Sequence, residues 1–330
     1  MLNAPYAAER AVALEAVRAA SLVCQEVQKR LIAGVALEKG DKSPVTVADF
    51  AAQAIVSHLL AQAFPTLPLI GEEDAAALRE PANAALKDKV VASVQAVLPS
   101  LDEAGILAAI DRGTHEGGPK GRFWTLDPID GTKGFLRMEQ FAVALALIED
   151  GQVVLGVLGC PNLPANDGSG ATGCLFVGVR GQGAFQRGLH DAAERPVRVG
   201  GESDPAQARF SESVESGHTK QDDSAKVAEL LGITAPPVRM DSQAKYATVG
   251  RGDAAIYLRL PTKAGYVERI WDHAAGWAVI TEAGGRVTDV TGAPLDFGRG
   301  RGLEANKGVI ATNGLLHDRV VAVVRSVLGV

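Results

Sequence analysis

The sequence predicts an α/β protein in two parts: an α+β half over residues 1–195 built on an antiparallel sheet, and an α/β half over residues 196–330. Three observations carry this expectation. Apolar residues keep helical spacing over residues 8–37 and again over roughly 49–64. The stretch FAVALALIEDGQVVLGVLG (141–159) alternates and turns at Asp150-Gly151, a hairpin signal. Beyond about residue 196 short strand-like and helix-like runs follow one another in turn.

Element by element, the first helix stops at Gly40-Asp41-Lys42-Ser43-Pro44, and the second is expected to start at Asp49. Pro68-Leu69-Ile70 reads as a short strand that delivers GEED (71–74). After an Ala-rich region, FWTL (123–126) reads as a buried strand ending at Asp127. A second hairpin is expected in GCLFVGVRGQGAF (173–185). In the second half strands and helices alternate through RFSESVE, SAKVAELLG, VRMD, SQAKYATVG and DAAIYLRL, and a last-named helix opens at Asp272.

At 330 residues the chain can bury a sizeable core. With 47% hydrophobic residues, 22% charged and 37 glycines it fits a soluble enzyme and not a disordered or fibrous chain. The net charge of −6, without Lys/Arg runs interleaved with aromatics, argues against a nucleic-acid polymer as partner. Small anions remain compatible, because local fields can oppose net charge. No apolar run is long enough to span a membrane, and a start carrying Glu9 and Glu15 is not a secretory signal. The three cysteines, Cys24, Cys160 and Cys174, form neither a disulfide framework nor a C-x-x-C pair. Cys24 shares a helical face with Val17, Ala20, Val27 and Leu31, which places it in the core.

Four segments carry carboxylates to element ends: Asp49, Glu72-Glu73, Asp127 with Asp130, and Asp272. Each alone has an ordinary reading as a capped turn, a solvated acidic loop or a helix cap. Gathered in one cleft, they would raise one another's pKa unless cations neutralised them. An all-oxygen set without His or Cys selects Mg2+, with Mn2+ as the alternative. Gly131 allows close backbone approach to a ligand, and Thr132 adds a hydroxyl. Asp49 could accept a proton as a general base, and the Ile129 carbonyl could join the ligands.

SPVTVAD (43–49), LIGEED (69–74), WTLDPIDGTKGF (124–135) and IWDHAAG (270–276) resemble the lithium-sensitive, magnesium-dependent phosphatases of the inositol monophosphatase and fructose-1,6-bisphosphatase superfamily. Within it, the extended DPIDGTKGFLR form is similar to the 3'(2'),5'-bisphosphate nucleotidases. The resemblance runs from about residue 10 to 320 and implies a layered αβαβα fold. It implies up to three Mg2+ ions on Asp49, Glu72, Asp127, the Ile129 carbonyl, Asp130 and Asp272, with Glu73 behind them. Asp49 and Thr132 become the pair that activates water, and Gly131 joins Thr132 and Asp272 in holding substrate.

His218, Ser242, Lys245 and Arg259 match nucleotide-contacting positions of the bisphosphate nucleotidases. Without the resemblance His218 is a loop His, and Lys245 and Arg259 are surface cations. The implied reaction removes the 3'-phosphate of adenosine 3',5'-bisphosphate (PAP), giving AMP, and treats its sulfated form (PAPS) likewise. GCPNLP and GCLF further resemble the plant branch, whose corresponding cysteines form a regulatory disulfide; here these are Cys160 and Cys174, and two reduced thiols are the alternative. The expected state is a monomer, with a dimer as the alternative, in the cytoplasm, or in plastid or mitochondrion if a transit peptide has been removed. The rival functions are inositol polyphosphate 1-phosphatase or inositol monophosphatase activity, and, from another class, a non-catalytic nucleotide or redox sensor.

Overall fold

The computed structural model describes residues 4–32, 43–214, 221–263 and 265–330. In chain order its elements are α1 (Ala7–Ile32), α2 (Ser43–Ala63), β1 (Leu69–Gly71), α3 (Ala76–Arg79), α4 (Ala84–Gln95), α5 (Glu103–Asp111), β2 (Arg122–Asp130) and α6 (Thr132–Leu136). β3 (Ala142–Glu149), β4 (Gln152–Pro164), β5 (Thr172–Val179), β6 (Gly183–Gly188), β7 (Arg195–Val197) and β8 (Phe210–Glu212) follow. The chain ends with α7 (Gln221–Leu231), β9 (Val238–Arg239), α8 (Ala244–Gly250), β10 (Ile256–Arg259), α9 (Ala274–Glu282), β11 (Arg286–Thr288), β12 (Val309–Thr312) and α10 (His317–Leu328).

The strands make two sheets. One runs β1 to β7 in sequence order, antiparallel except for the parallel β1–β2 pair; the other has the order β11-β12-β10-β8-β9 and is mixed. Three apolar clusters separate the layers. The first joins α1 and α2 to one face of the large sheet, the second lies between the two sheets around α8 and α9, and the third packs α7 and α10 on the small sheet. The stack is therefore αβαβα, as the resemblance implies. Cys24 is buried in the first cluster.

The middle layer depends on a cross-strand pair of glycines. Gly156 and Gly178 stand opposite each other on β4 and β5. A Cβ on either would lie 2.6 Å from a carbonyl of α9, Ala275 or Ala278 respectively. Only glycine lets the helix backbone rest on the sheet this closely. That contact fixes α9, and with it the residues that precede it, Trp271 and Asp272.

Both expected hairpins form, the first turning at Asp150-Gly151 and the second after β5. Three boundaries differ from the sequence reading. Asp49 lies in the second turn of α2 and not at its start, because Pro44 is compatible with a first helical turn and the helix begins at Ser43. Of the break expected at Gly40-Asp41-Lys42-Ser43-Pro44, residues 40–42 lie outside the described residues, while Ser43 and Pro44 belong to α2. β2 continues past Asp127 to Asp130 through a bulge. Asp272 sits in a 3-10 turn, Ile270–Asp272, and no side chain caps α9. No helix among the described residues is long and apolar enough to cross a membrane.

Candidate active site

The spacing of Asp127 and Asp130 acquires a geometric cause. Three residues apart on a regular strand, two side chains point to opposite faces. Here Asp127 pairs with Ala144 and Asp130 with Ala142, so three steps on β2 match two on β3. The extra residue of this bulge turns both carboxylates to the same face. Pro128, which cannot donate to a ladder, sits where the ladder is interrupted. The chain then leaves through Gly131, whose φ of +89° is left-handed and whose Cβ, if present, would lie 2.8 Å from Ser242 Cβ.

Glu72 and Glu73 follow β1, the parallel neighbour of β2. Their loop is held by Gln53, one helical turn beyond Asp49 on α2. Gln53 Nε2 donates to the carbonyls of Glu73 at 2.5 Å and Ile110 at 2.9 Å, and Glu73 N–H donates to Gln53 Oε1 at 3.1 Å. Gln243 does the same for the other side. Its backbone N–H donates to Asp130 Oδ2 at 2.5 Å, its Nε2 to the Trp271 carbonyl at 2.9 Å, and its Oε1 accepts from Gly276 N–H at 3.2 Å. Ser242, strained at φ +70°, turns the chain so that this N–H meets Asp130. Both glutamines escaped the sequence argument, although each lies four residues or one residue from a singled-out position.

The acids act on one another electrostatically. Burial first, then the charges of Glu73 and Glu72, hold the Asp49 carboxyl well above the usual range. Burial, followed by Glu72, Asp130, Asp272 and Asp49, does the same to Asp127. Glu72 is an exposed residue, yet protein packed about its carboxyl, together with Glu73 and Asp130, pushes it up to about 7. Asp272 rises to about 8, mainly through burial, against the opposing pull of Arg259. Asp127 Oδ1 is buried and has no hydrogen-bond partner among the described residues. A set of hard oxygen donors, crowded, buried and with one oxygen orphaned, fits a divalent cation of the Mg2+ type.

Asp272 also belongs to a second group. One ligand atom each from Glu268, Asp272 and His273 lie within 4.8 Å of one another. Arg259 already supplies a cation there, with Nε 2.8 Å from Glu268 Oε2 and Nη2 donating to Asp272 Oδ2 at 3.3 Å. His273 is buried between Glu268 Oε2 at 3.3 Å and the Tyr246 hydroxyl at 2.7 Å, and burial lowers its pKa. Burial opposes ionisation of Glu268, but hydrogen bonds and charge from His273 and Arg259 bring it down to about 2. Glu268, His273 and Tyr246 were not foreseen; Glu268 lies four residues before Asp272, and that is the only signal the sequence carries.

Of the expected substrate residues, Ser242, Lys245 and Arg259 come to the edge of the carboxylate cluster. Lys245 is buried, its Nζ 3.3 Å from the Met240 carbonyl and 5.3 Å from the Tyr257 ring. Burial lowers it to about 8, while the nearby Asp130 charge works the other way. Arg259 is neither free nor a surface cation, being tied as described. Thr132 opens α6 and is exposed, and no hydrogen bond joins its hydroxyl to another described residue. Ile129 is buried within the bulge. His218 lies outside the described residues.

Cys160 and Cys174 stand directly opposite each other on β4 and β5 as free, buried thiols. Burial raises the pKa of both. His317 is buried between the Thr288 and Thr312 hydroxyls at 2.9 and 3.0 Å.

A layered αβαβα stack with a carboxylate-lined cleft at the ends of β1 and β2 is the architecture of a recognisable class of proteins. A structure of inositol monophosphatase from Anabaena superimposes with a TM-score of 0.63 at 23% identity, covering 96% of this chain and 95% of that one. An inositol monophosphatase from Zymomonas mobilis gives 0.65 at 19%, covering 98% and 100%. A family model described as the inositol monophosphatase family matches residues 7–328, and the chain belongs to that family. Among its relatives are 3'(2'),5'-bisphosphate nucleotidases. Those of Emericella nidulans (45% identity, 98% of this chain and 99% of the relative) and Schizosaccharomyces pombe (46%, 96% and 94%) align over nearly full length. That of Oryza sativa is 46% identical over 98% of this chain and 95% of its own.

Proposed function

We propose that this protein is a Mg2+-dependent 3'(2'),5'-bisphosphate nucleotidase that hydrolyses the 3'-phosphate of PAP to give AMP and phosphate, and acts on PAPS in the same way. The observation that carries this reading is the contact between two opposite fields. The acids Asp49, Glu72, Asp127 and Asp272 abut the cations Lys245 and Arg259, which suits a substrate bearing two phosphates around a metal centre. The full-length relatives named as bisphosphate nucleotidases support it.

Asp49, Glu72, Asp127, the Ile129 carbonyl, Asp130 and Asp272 are the residues that would hold the metal. Bound there, Mg2+ would neutralise the acids, polarise the phosphate and lower the pKa of a water molecule. Thr132, exposed on the first turn of α6, hands on the proton of the attacking water, and Asp49 accepts it. Gly131 leaves room beside the phosphate for its own backbone to approach. Lys245 and Arg259 supply charge-assisted donors to the second phosphate, with Ser242 between them and Asp130. Excluding bulk water strengthens each of these interactions.

Lys245→Ala separates substrate recognition from chemistry. It should raise KM for PAP by about 10-fold or more, the loss expected for one charge-assisted contact, while hydrolysis of a generic phosphomonoester changes by less than about 2-fold. Equal effects on both substrates would remove the argument for a bisphosphate nucleotide and leave an inositol phosphate as the better candidate.

A further inference from the structure

Arg301 belongs to none of the motifs, yet its side chain meets the supports of two cluster acids. Its Nη2 donates to the Gly71 carbonyl at 2.7 Å, and its Nη1 to the carbonyls of Gly113 at 3.2 Å and His115 at 3.0 Å. The centre of the guanidinium stands 4.9 Å from the centroid of the Trp271 ring. Gly71 is the residue before Glu72, and Trp271 is the residue before Asp272. The backbone around Arg301 adds to the connection: Ile270 N–H donates to the Arg301 carbonyl at 3.2 Å, and Leu303 N–H to that of Glu268 at 2.8 Å.

Glu72 and Asp272 reach the cleft from separate layers, Glu72 in the loop after β1 of the large sheet and Asp272 in the turn before α9. Two loops carrying like charges relax apart unless something rigid spans them. A planar guanidinium can bind several carbonyls in its own plane and still cover an aromatic ring with its face. A lysine ammonium can do neither over the same reach. We propose that Arg301 is a positioning residue that fixes Glu72 and Asp272 at the separation needed for joint binding of a divalent cation. The proposal rests on reading the carboxylate cluster as a cation site. Arg301 itself bonds to backbone carbonyls, so it acts through the two loops.

The test compares the full-length protein with Arg301→Lys and Arg301→Met, using Mn2+ alone as probe. Mn2+ binding to the substrate-free protein is followed by electron paramagnetic resonance, and the unfolding midpoint is measured in EDTA. Loss of an outer contact that orients ligands weakens metal affinity by about 10- to 100-fold. Arg301→Met should show that loss, Arg301→Lys a smaller one, and KM for PAP at saturating Mn2+ should stay within about 2-fold for both. If Arg301→Met folds poorly, Arg301→Lys carries the comparison. Wild-type Mn2+ affinity in the variants, with only a lower unfolding midpoint, would make Arg301 an ordinary structural contact and overturn the proposal. A wild-type protein that binds no Mn2+ would sink the cation-site reading and this proposal with it.

Discussion

Asp127→Asn should make the metal-free protein more stable at alkaline pH while abolishing its activity. The side chain keeps its shape, and the amide can still donate to Glu72, but one negative charge leaves a buried cluster. The size of the effect follows from the neighbours. Holding Asp272 at about 8 instead of 3.8 opposes its ionised form by about 6 kcal/mol, at about 1.4 kcal/mol per pH unit. Asp127 is buried among the same acids, whose charges add to burial in raising its pKa, and relieving one uncompensated buried group is worth on the order of 2 kcal/mol. A chain of 330 residues unfolds with an entropy of about 0.7 kcal/mol/K, so the midpoint should rise by about 3 °C. A carboxyl whose pKa the fold raises adds stability below its unfolded value, and that stability is lost as pH climbs through the folded value. For Asp272 the window runs from 3.8 to about 8, so the gain should be large at pH 8 and shrink toward pH 4. Scanning calorimetry in EDTA at both values reads it, and added Mg2+ should then stabilise the wild type more than the variant. A variant less stable than wild type at pH 8, with equal gains from Mg2+, would refute the reasoning.

Gly131→Ala places a Cβ at φ +89° against Ser242 and should cost about 1–3 kcal/mol, read as a lower denaturant midpoint together with reduced turnover. An unchanged midpoint would mean that the turn adjusts freely. For the thiols, Cys160→Ser should abolish any loss of activity under a disulfide-forming oxidant, because the bridge would need both members of the cross-strand pair. Burial keeps both thiols protonated, so inactivation of the wild type should take many minutes and speed up as pH rises. An oxidant response that survives the substitution would remove the pair from regulation.

The elements whose apolar period is strong were legible: the Asp150-Gly151 hairpin appears where expected, and so does α1 as far as the described residues reach, to Ile32. The acids were legible as a group because four segments repeat one chemistry. What the sequence could not disclose is how they are held. The bulge that turns Asp127 and Asp130 to one face depends on register against β3, and a period-of-two reading places them on opposite faces. Gln53, Gln243 and Arg301 act on backbone groups up to 230 positions away, and an ordinary glutamine or arginine leaves no local mark of such a bond. Arg259 was singled out as a nucleotide-contacting position; its ion pairs with Glu268 and Asp272 were not foreseen, a pairing visible only once β10 meets the turn before α9. Boundaries at Asp49 and Asp272 shifted because caps are judged from single residues, whereas Pro44 and the Gly156–Gly178 seat decide where the helices lie.

Phosphate release from PAP, PAPS and inositol phosphates, each with Mg2+ and with EDTA, tests the central claim most directly. PAP and PAPS should be hydrolysed in Mg2+ with kcat/KM at least about 10-fold above any inositol phosphate, and all release should stop in EDTA. Undiminished hydrolysis of PAP in EDTA, or a clear preference for an inositol phosphate, would contradict the account.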